Sequence, residues 1–495
     1  MAEILQPRVF RKIRLNVNGN NIHQGVEKLE SLARLNHPGR RFTRELTIWT
    51  LSPEYKQSFN PFKFRKTTNS VNQHPNSPLE IKTAKDKVHS HLYDAITSLR
   101  AVHTVTWGPN AQDGQNVYHI VMNALKELPV LRRIRLHVND FDIPLQLDSL
   151  STLSELAVYT HRCSSTRLSA IVDNVAKAVV RNPELTSIEL VLNPDGIPND
   201  SGLPQSFSEL LKHQTTTMEP LRLRHIKLTS CLLLLDKICA PHLTHLTSLT
   251  LFKVDPVGLW ESFIAAGIHL TEISIDGVTH AFLKYLSTYV GLKELLLKPN
   301  NFTTDASSDA MAEQFYTGSY LENHFQSLEE FEVDPPYEGL WCYGSHNHDN
   351  ISKLGKLRRL AMSIRYIDVA SNGRTQTSTT DLNPVGRIVN MAIHCMPDVE
   401  IIELDSSTPN IGRGPCCGTG MFEHRKLVCK KIVECAEEYI APSSCTRIPS
   451  LRIGSWGKLV LIGKRKSSGG EENSDSTALG YVNVTPKDRF NILQF

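Results

Sequence analysis

Nothing in this sequence is apolar for long enough to cross a bilayer. Its longest apolar run, Cys231–Leu235, covers five residues, where a spanning helix needs roughly 20. The opening stretch MAEILQPRVFRKIRL has no apolar core and no small-residue cleavage site, so no secretory leader is expected there and the chain reads as intracellular, cytoplasmic or nuclear. Its ten cysteines are scattered without even spacing, which excludes a disulfide framework and fits reduced thiols. The triplets at Asn199, Asn301, Asn350 and Asn483 then count as chance glycosylation patterns. No sign of charge predominates: 54 Lys and Arg face 51 Asp and Glu, a net +3. That balance gives no reason to expect nucleic acid or an anionic membrane as partner.

Catalytic signatures are missing as well. There is no G-x-S-x-G, no H-E-x-x-H and no strand–GxGxxG–helix unit. The Gly-rich run GRGPCCGTG at 412–420 lacks the Lys-Ser/Thr of a phosphate loop and reads as a turn. Cys416 and Cys417 are adjacent, so their thiols point apart, and no second short pair follows, while Cys429 and Cys435 suit a buried helical face. Cys342, His346, His348 and Asp349 lie in WCYGSHNHD, which reads as a solvated loop rather than a metal site. The expectation is therefore no enzyme, no cofactor, no metal and no small-molecule substrate.

What the sequence does contain is one phrase, repeated: an apolar residue, two variable ones, an apolar residue, one variable, an apolar residue. It occurs as Phe10-x-x-Ile13-x-Leu15, Leu131-x-x-Ile134-x-Leu136, Leu153-x-x-Leu156-x-Val158, Leu185-x-x-Ile188-x-Leu190 and Leu223-x-x-Ile226-x-Leu228. It continues as Leu246-x-x-Leu249-x-Leu251, Leu270-x-x-Ile273-x-Ile275 and Leu292-x-x-Leu295-x-Leu297, and then as Leu328-x-x-Phe331-x-Val333, Leu357-x-x-Leu360-x-Met362 and Val399-x-x-Ile402-x-Leu404. The end of each phrase alternates with period 2, the pattern of a strand with one buried face. Between phrases the apolar spacing turns helical, as in Val117, Ile120, Val121, Ala124, Leu125 and Leu128. Further helices are expected near 22–35, 84–100, 166–182, 257–267, 279–290, 307–325, 383–396 and 422–440.

Strand, helix and strand in succession imply parallel strands joined by right-handed crossovers. The expected fold is an α/β leucine-rich-repeat-like solenoid, a horseshoe with strands on the concave face and helices on the convex face. It spans 1–463, with 52–80 inserted as a loop, and 464–495 is read as a flexible C-terminal tail. The segments 299–306, 335–352 and 366–382 also read as exposed loops. No Asn recurs after the strands, so the usual asparagine ladder is missing, and the spacing of the units is irregular.

Period 2 also singles out the residues that face away from the helices. Trp49, Arg135, His137, Tyr159, Glu189, Lys227, Phe252, Asp276 and Lys298 are the candidate partner-binding residues of that face, with Trp49, Tyr159 and Phe252 as aromatic anchors. Arg14 and Thr47 belong to the same face. Basic and aromatic residues lead the series, and acidic ones follow.

The phrases LRRIRLHV, LTSIELVL, LTSLTLFKV, LTEISID and VEIIELD resemble the leucine-rich regions of fungal F-box proteins, over about 10–463. PRVFRKIRLNV is similar to the segment that leads from the F-box into the repeats of that family, and LRIGSWGKLVLI is similar to its last unit. The resemblance implies a protein-interaction solenoid, a substrate-recognition component related to F-box ubiquitin ligase receptors. The F-box itself has no counterpart before the first repeat, so contact with a Skp-type adaptor is carried over to no residue here. A stand-alone binding scaffold unrelated to ubiquitin is the alternative.

Overall fold

The computed structural model describes residues 9–34, 39–55, 77–138, 145–160, 163–192, 205–211, 213, 220–230, 233–234, 239–254, 256–370, 383–409, 419–455, 458–467 and 478–483. Residues 56–76 of the insertion expected at 52–80, residues 412–418 of the Gly-rich run at 412–420 and the end of the chain from 484 lie outside these residues. The chain forms two compact units, Met1–Leu246 with Val254–Leu259, and Thr247–Lys253 with Trp260–Phe495.

In the first unit, seven strands join in one parallel sheet among the described residues: β1 (Lys12–Leu15), β2 (Glu45–Ile48), β3 (Thr104–Trp107), β4 (Arg133–Val138), β5 (Glu155–Thr160), β6 (Ser187–Val191) and β7 (His225–Thr229); Gln205–Ser206 and Leu233–Leu234 form a separate parallel pair. Helices α1 (Ile22–Ala33), α2 (Pro78–Thr97), α3 (Gly114–Lys126) and α4 (Ser165–Arg181) run between them. The strand register stacks like on like. One row is Ile13, Leu46, Val105, Ile134, Leu156, Ile188 and Ile226; the next is Leu15, Ile48, Trp107, Leu136, Val158, Leu190 and Leu228. Every member of both rows is buried, and each such aliphatic side chain contributes about 1.5–3 kcal/mol.

The second unit repeats the arrangement with β8 (Ser248–Phe252), β9 (Glu272–Ile275), β10 (Glu294–Leu297), β11 (Glu330–Val333), β12 (Arg359–Ile364), β13 (Ile401–Ser406) and β14 (Ser450–Ser455), all parallel. Helices α5 (Leu259–Ala266), α6 (His280–Leu286), α7 (Asp305–Thr317), α8 (Ser345–Ile351), α9 (Pro384–Cys395) and α10 (Thr419–Glu438) alternate with these strands. Its buried rows are Leu249, Ile273, Leu295, Phe331, Leu360, Ile402 and Leu451, then Leu251, Ile275, Leu297, Val333, Met362, Leu404 and Ile453. The α/β leucine-rich-repeat-like architecture expected from the phrases is thus present in each unit.

The missing asparagine ladder has substitutes. At three phrases the backbone N–H of the first apolar residue, which the strand ladder does not use, is accepted by a polar side chain from the following unit; at others, as at Leu131, Leu185 and Leu246, a backbone carbonyl three residues earlier accepts it. Asn182 Oδ1 accepts from Leu153 N at 2.7 Å, Tyr285 Oη from Leu270 N at 3.0 Å and His324 Nδ1 from Leu292 N at 3.3 Å. Three residue types thus satisfy one geometric requirement, that no buried amide stays unpaired.

Three expectations need correction. Helix α2 begins at Pro78, inside the stretch read as loop, because Ser77 and Glu80 form a reciprocal capping box with proline at the first turn. The segment 335–352 is not an exposed loop: Trp341 is 1% exposed, Cys342 and Tyr343 are buried, and 345–351 is helical. Polar residues that suggested solvent satisfy backbone there instead, Asn347 giving Nδ2 to Cys342 O and taking Gly344 N. Glu338 accepts from Tyr366 N at 2.7 Å and pairs with His424 at 2.8 Å, tying the segment to α10. Finally, part of the expected tail is structured. Strand β15 (Lys458–Ser467) pairs antiparallel with β14, and β16 (Ala478–Asn483) pairs antiparallel with β15, anchored by buried Tyr481, whose hydroxyl donates to Pro449 O.

Candidate functional site

Opposite each buried row, the alternate strand residues form an open face. In the first unit its outermost row runs Trp49, Gly108, His137 and Tyr159, fixed by the registers Ile48↔Trp107, Trp107↔Leu136 and His137↔Tyr159. The His137 and Tyr159 rings stack at 4.7 Å and 11°, and Trp49 approaches His137 at 5.7 Å and 40°. Gly108 is what lets the indole lie down: a Cβ there would come within 2.9 Å of Trp49 Cε3. Trp49 keeps 37% of its surface exposed, an amphipathic ring held in place without being buried, as interface anchors are.

Electrostatics continue the row. The Tyr159 hydroxyl donates to Glu189, and burial, then that carboxylate, pushes it up to about 12. Glu189 also pairs with Lys227 at 2.6 Å. Burial, then the charge of Arg135, lowers the His137 pKa, so the imidazole is neutral at pH 7 and stacks as an aromatic. Five of the nine candidate residues, Trp49, His137, Tyr159, Glu189 and Lys227, thus form one continuous chain of contacts, with Arg135 beside it.

The other three lie together in the second unit. Lys298 Nζ sits 5.9 Å from the Phe252 ring centroid and 3.3 Å from Asp334, so Phe252 presents a face already occupied by a cation. Asp276 accepts from Lys253 N at 2.8 Å and so holds the left-handed backbone at Lys253, φ 54°. Its pKa is raised by burial. This makes Asp276 a turn-fixing residue.

Farther along that face, Arg359 bridges Glu332 and Glu403 at 2.7 Å each, and Arg452 meets Glu403 at 2.9 Å. Beside them, a shallow depression of about 110 Å3 is lined by Glu272, Glu294 and Glu330 in register. Glu329 and Glu330 meet Lys293 at 3.3 Å and Arg359 at 3.6 Å.

No family model matches the sequence, and no curated protein matches it. Among solved structures it is similar to a chain in the "Crystal structure of Rad7 and Elc1 complex in yeast", with 12% identity, 85% of each chain covered and a TM-score of 0.36. A likeness that remote assigns no role to any residue here.

Among the described residues, no group of three or more His, Cys, Asp or Glu is placed to hold a metal, and no helix is long and apolar enough to cross a membrane. His346 is engaged with Leu340 O at 2.7 Å and His348 with the Tyr343 hydroxyl at 2.7 Å. Cys342 is buried beside Ser407, and burial holds its thiol up at about 12. Cys429 donates to Gly454 O at 2.8 Å. Cys416 and Cys417 lie outside the described residues.

Sequence reasoning missed Gly108. The strand before it fits the phrase, as Val102-x-x-Val105-x-Trp107, but a tryptophan in the last apolar place hides the match. Once the phrase is extended to Trp as a buried residue, the open-face position two residues after Thr106 becomes readable.

Proposed function

We propose that this chain is a protein-binding repeat scaffold whose docking surface is the open strand face of its first unit, and that it binds rather than catalyses. The observation that carries the reading is the partly exposed Trp49, laid flat over Gly108 and continued by the stacked His137 and Tyr159. Holding an indole in one orientation at a solvent-facing position lowers the entropy cost of binding through it. Parallel strands present such side chains at a fixed spacing of about 4.8 Å, which suits an extended protein surface better than a small molecule. An intracellular setting, cytoplasmic or nuclear, goes with this reading, and so does the scattered reduced cysteine content.

The more specific reading, a substrate receptor related to F-box ubiquitin ligases, rests on the resemblance of phrases such as LRRIRLHV and LTSIELVL to fungal members of that family. Affinity capture with the wild-type chain and with the Trp49→Ala/Tyr159→Ala pair tests both levels. The docking face requires partners retained by the wild type and lost by a variant with an unchanged melting curve. Recovery of a Skp-type adaptor alongside them supports the ligase reading, and partners without any adaptor support the stand-alone scaffold. Identical partners on both chains would remove the face from consideration.

A further inference from the structure

Among the described residues, the acidic and basic side chains of the first unit's open face are paired except at two arginines. In the row nearest the strand starts, Lys12 meets Glu45 at 2.8 Å and Arg133 meets Glu155 at 2.8 Å. The middle row is Arg14, Thr47, Thr106, Arg135, Ala157, Glu189 and Lys227. It holds three cations and one carboxylate, and that carboxylate is taken by Lys227 at 2.6 Å. Arg14 and Arg135 are both exposed and have no carboxylate partner among the described residues. Between them lie only the short side chains of Thr47 and Thr106, and the next row above carries Trp49 and Gly108.

We infer that this face takes an acidic, extended segment of a protein partner, with carboxylates on Arg14 and Arg135 and an apolar side chain between them against Trp49. The inference rests on the docking face proposed above and adds the chemistry of its occupant. Distance supports the spacing. Arg14 and Arg135 stand three strand steps apart, about 14 Å at about 4.8 Å per step. An extended chain rising about 3.4 Å per residue places residues i and i+4 about 14 Å apart, with i+2 on the same side. Guanidinium groups suit this role because they bind carboxylates bidentately and stay charged at every relevant pH.

The probes are fluorescein-labelled peptides read by anisotropy: Glu-Ser-Leu-Ser-Glu within a Gly-Ser frame, the same composition with its two glutamates adjacent, and Lys-Ser-Leu-Ser-Lys in the same frame. The full chain is compared with Arg14→Gln/Arg135→Gln and with Trp49→Ala. The spaced acidic peptide is expected to bind the wild type, to lose more than about tenfold in affinity on the double arginine variant, and to weaken as NaCl rises from about 50 to 300 mM. The adjacent-glutamate peptide is expected to bind more weakly, and the lysine peptide not at all. Equal binding by the arginine variant, equal binding of the lysine peptide, or no binding of any peptide overturns the inference. Protein capture separates the two levels. If the arginine variant retains every partner that Trp49→Ala loses, the face stands and its acidic occupant falls. If neither variant loses a partner, the face itself falls.

Discussion

Trp49 lies against Gly108 of the neighbouring strand so closely that a Cβ on the glycine would meet Cε3 of the indole at 2.9 Å. Gly108 is not in the left-handed region, so alanine or valine fits its backbone, and the missing side chain serves the ring, not the chain. Gly108→Val is therefore expected to lift Trp49 off the sheet at a cost of about 1 kcal/mol or less in stability, since the ring is already partly exposed. A shift in tryptophan emission and loss of partner binding, with an unchanged denaturation slope, would be the result. An unaltered emission spectrum would mean that Trp49 does not rest on Gly108 in solution.

Leu136 and Leu190 occupy one buried row of the first unit. Leu136→Asp or Leu190→Lys places an unpaired charge in that row and is expected to cost more than about 3 kcal/mol. In a stack each repeat leans on its neighbours, so amide exchange should rise across several adjacent strands. Protection lost on a single strand only would argue that the rows are not energetically coupled.

His324 sets a pH limit. Its Nδ1 accepts from Leu292 N while Nε2 donates to Leu286 O, an arrangement open only to the neutral imidazole. Burial lowers its pKa below the ordinary histidine value, against a smaller opposing effect of the Leu286 carbonyl. Its contribution is fully present above the unfolded value of about 6.5 and is lost as pH falls from there toward the folded value, with a slope of at most about 1.4 kcal/mol per pH unit. Urea denaturation at pH 7.5 and 5.5 should show a smaller pH effect in His324→Gln than in the wild type. An equal effect would assign the acid sensitivity to other histidines.

Glu294 has the opposite sign. Burial raises its pKa, and the charges of Glu272, Glu330 and Glu329 raise it further. Like charges facing one another across strands destabilise a sheet. Glu294→Gln is expected to stabilise the chain by a few tenths of a kcal/mol at pH 7, the size that solvent screening leaves to an exposed carboxylate. The gain should vanish below about pH 4, where the wild-type carboxyl takes up its proton. A gain that persists at pH 4 would point to packing instead of charge.

Much of this was readable in the residues. The phrase places Ile134 and Leu136, or Leu295 and Leu297, on the buried side of a strand, because side chains alternate strictly and only one face meets the helices. The same alternation names Trp49, His137 and Tyr159 as neighbours on the open face. Where a residue has more than one way to be satisfied, sequence fails. WCYGSHNHD reads as solvent-exposed because Asn and His are polar, yet inside the second unit their polar atoms meet backbone groups and Trp341 fills the core. That Asp276 also fixes the turn at Lys253 is likewise hidden from the sequence.

Sequence by itself determined the alternation: which residue of each phrase is buried, and that strands and helices succeed one another, because burial of an apolar side chain is worth the same wherever the strand is placed. Tertiary structure alone decided adjacency. Gly108 beneath Trp49, and Arg14 three strands from Arg135 with no carboxylate partner among the described residues, depend on register between segments far apart in the chain. Register is set by the summed packing of whole rows, which no short stretch of residues encodes.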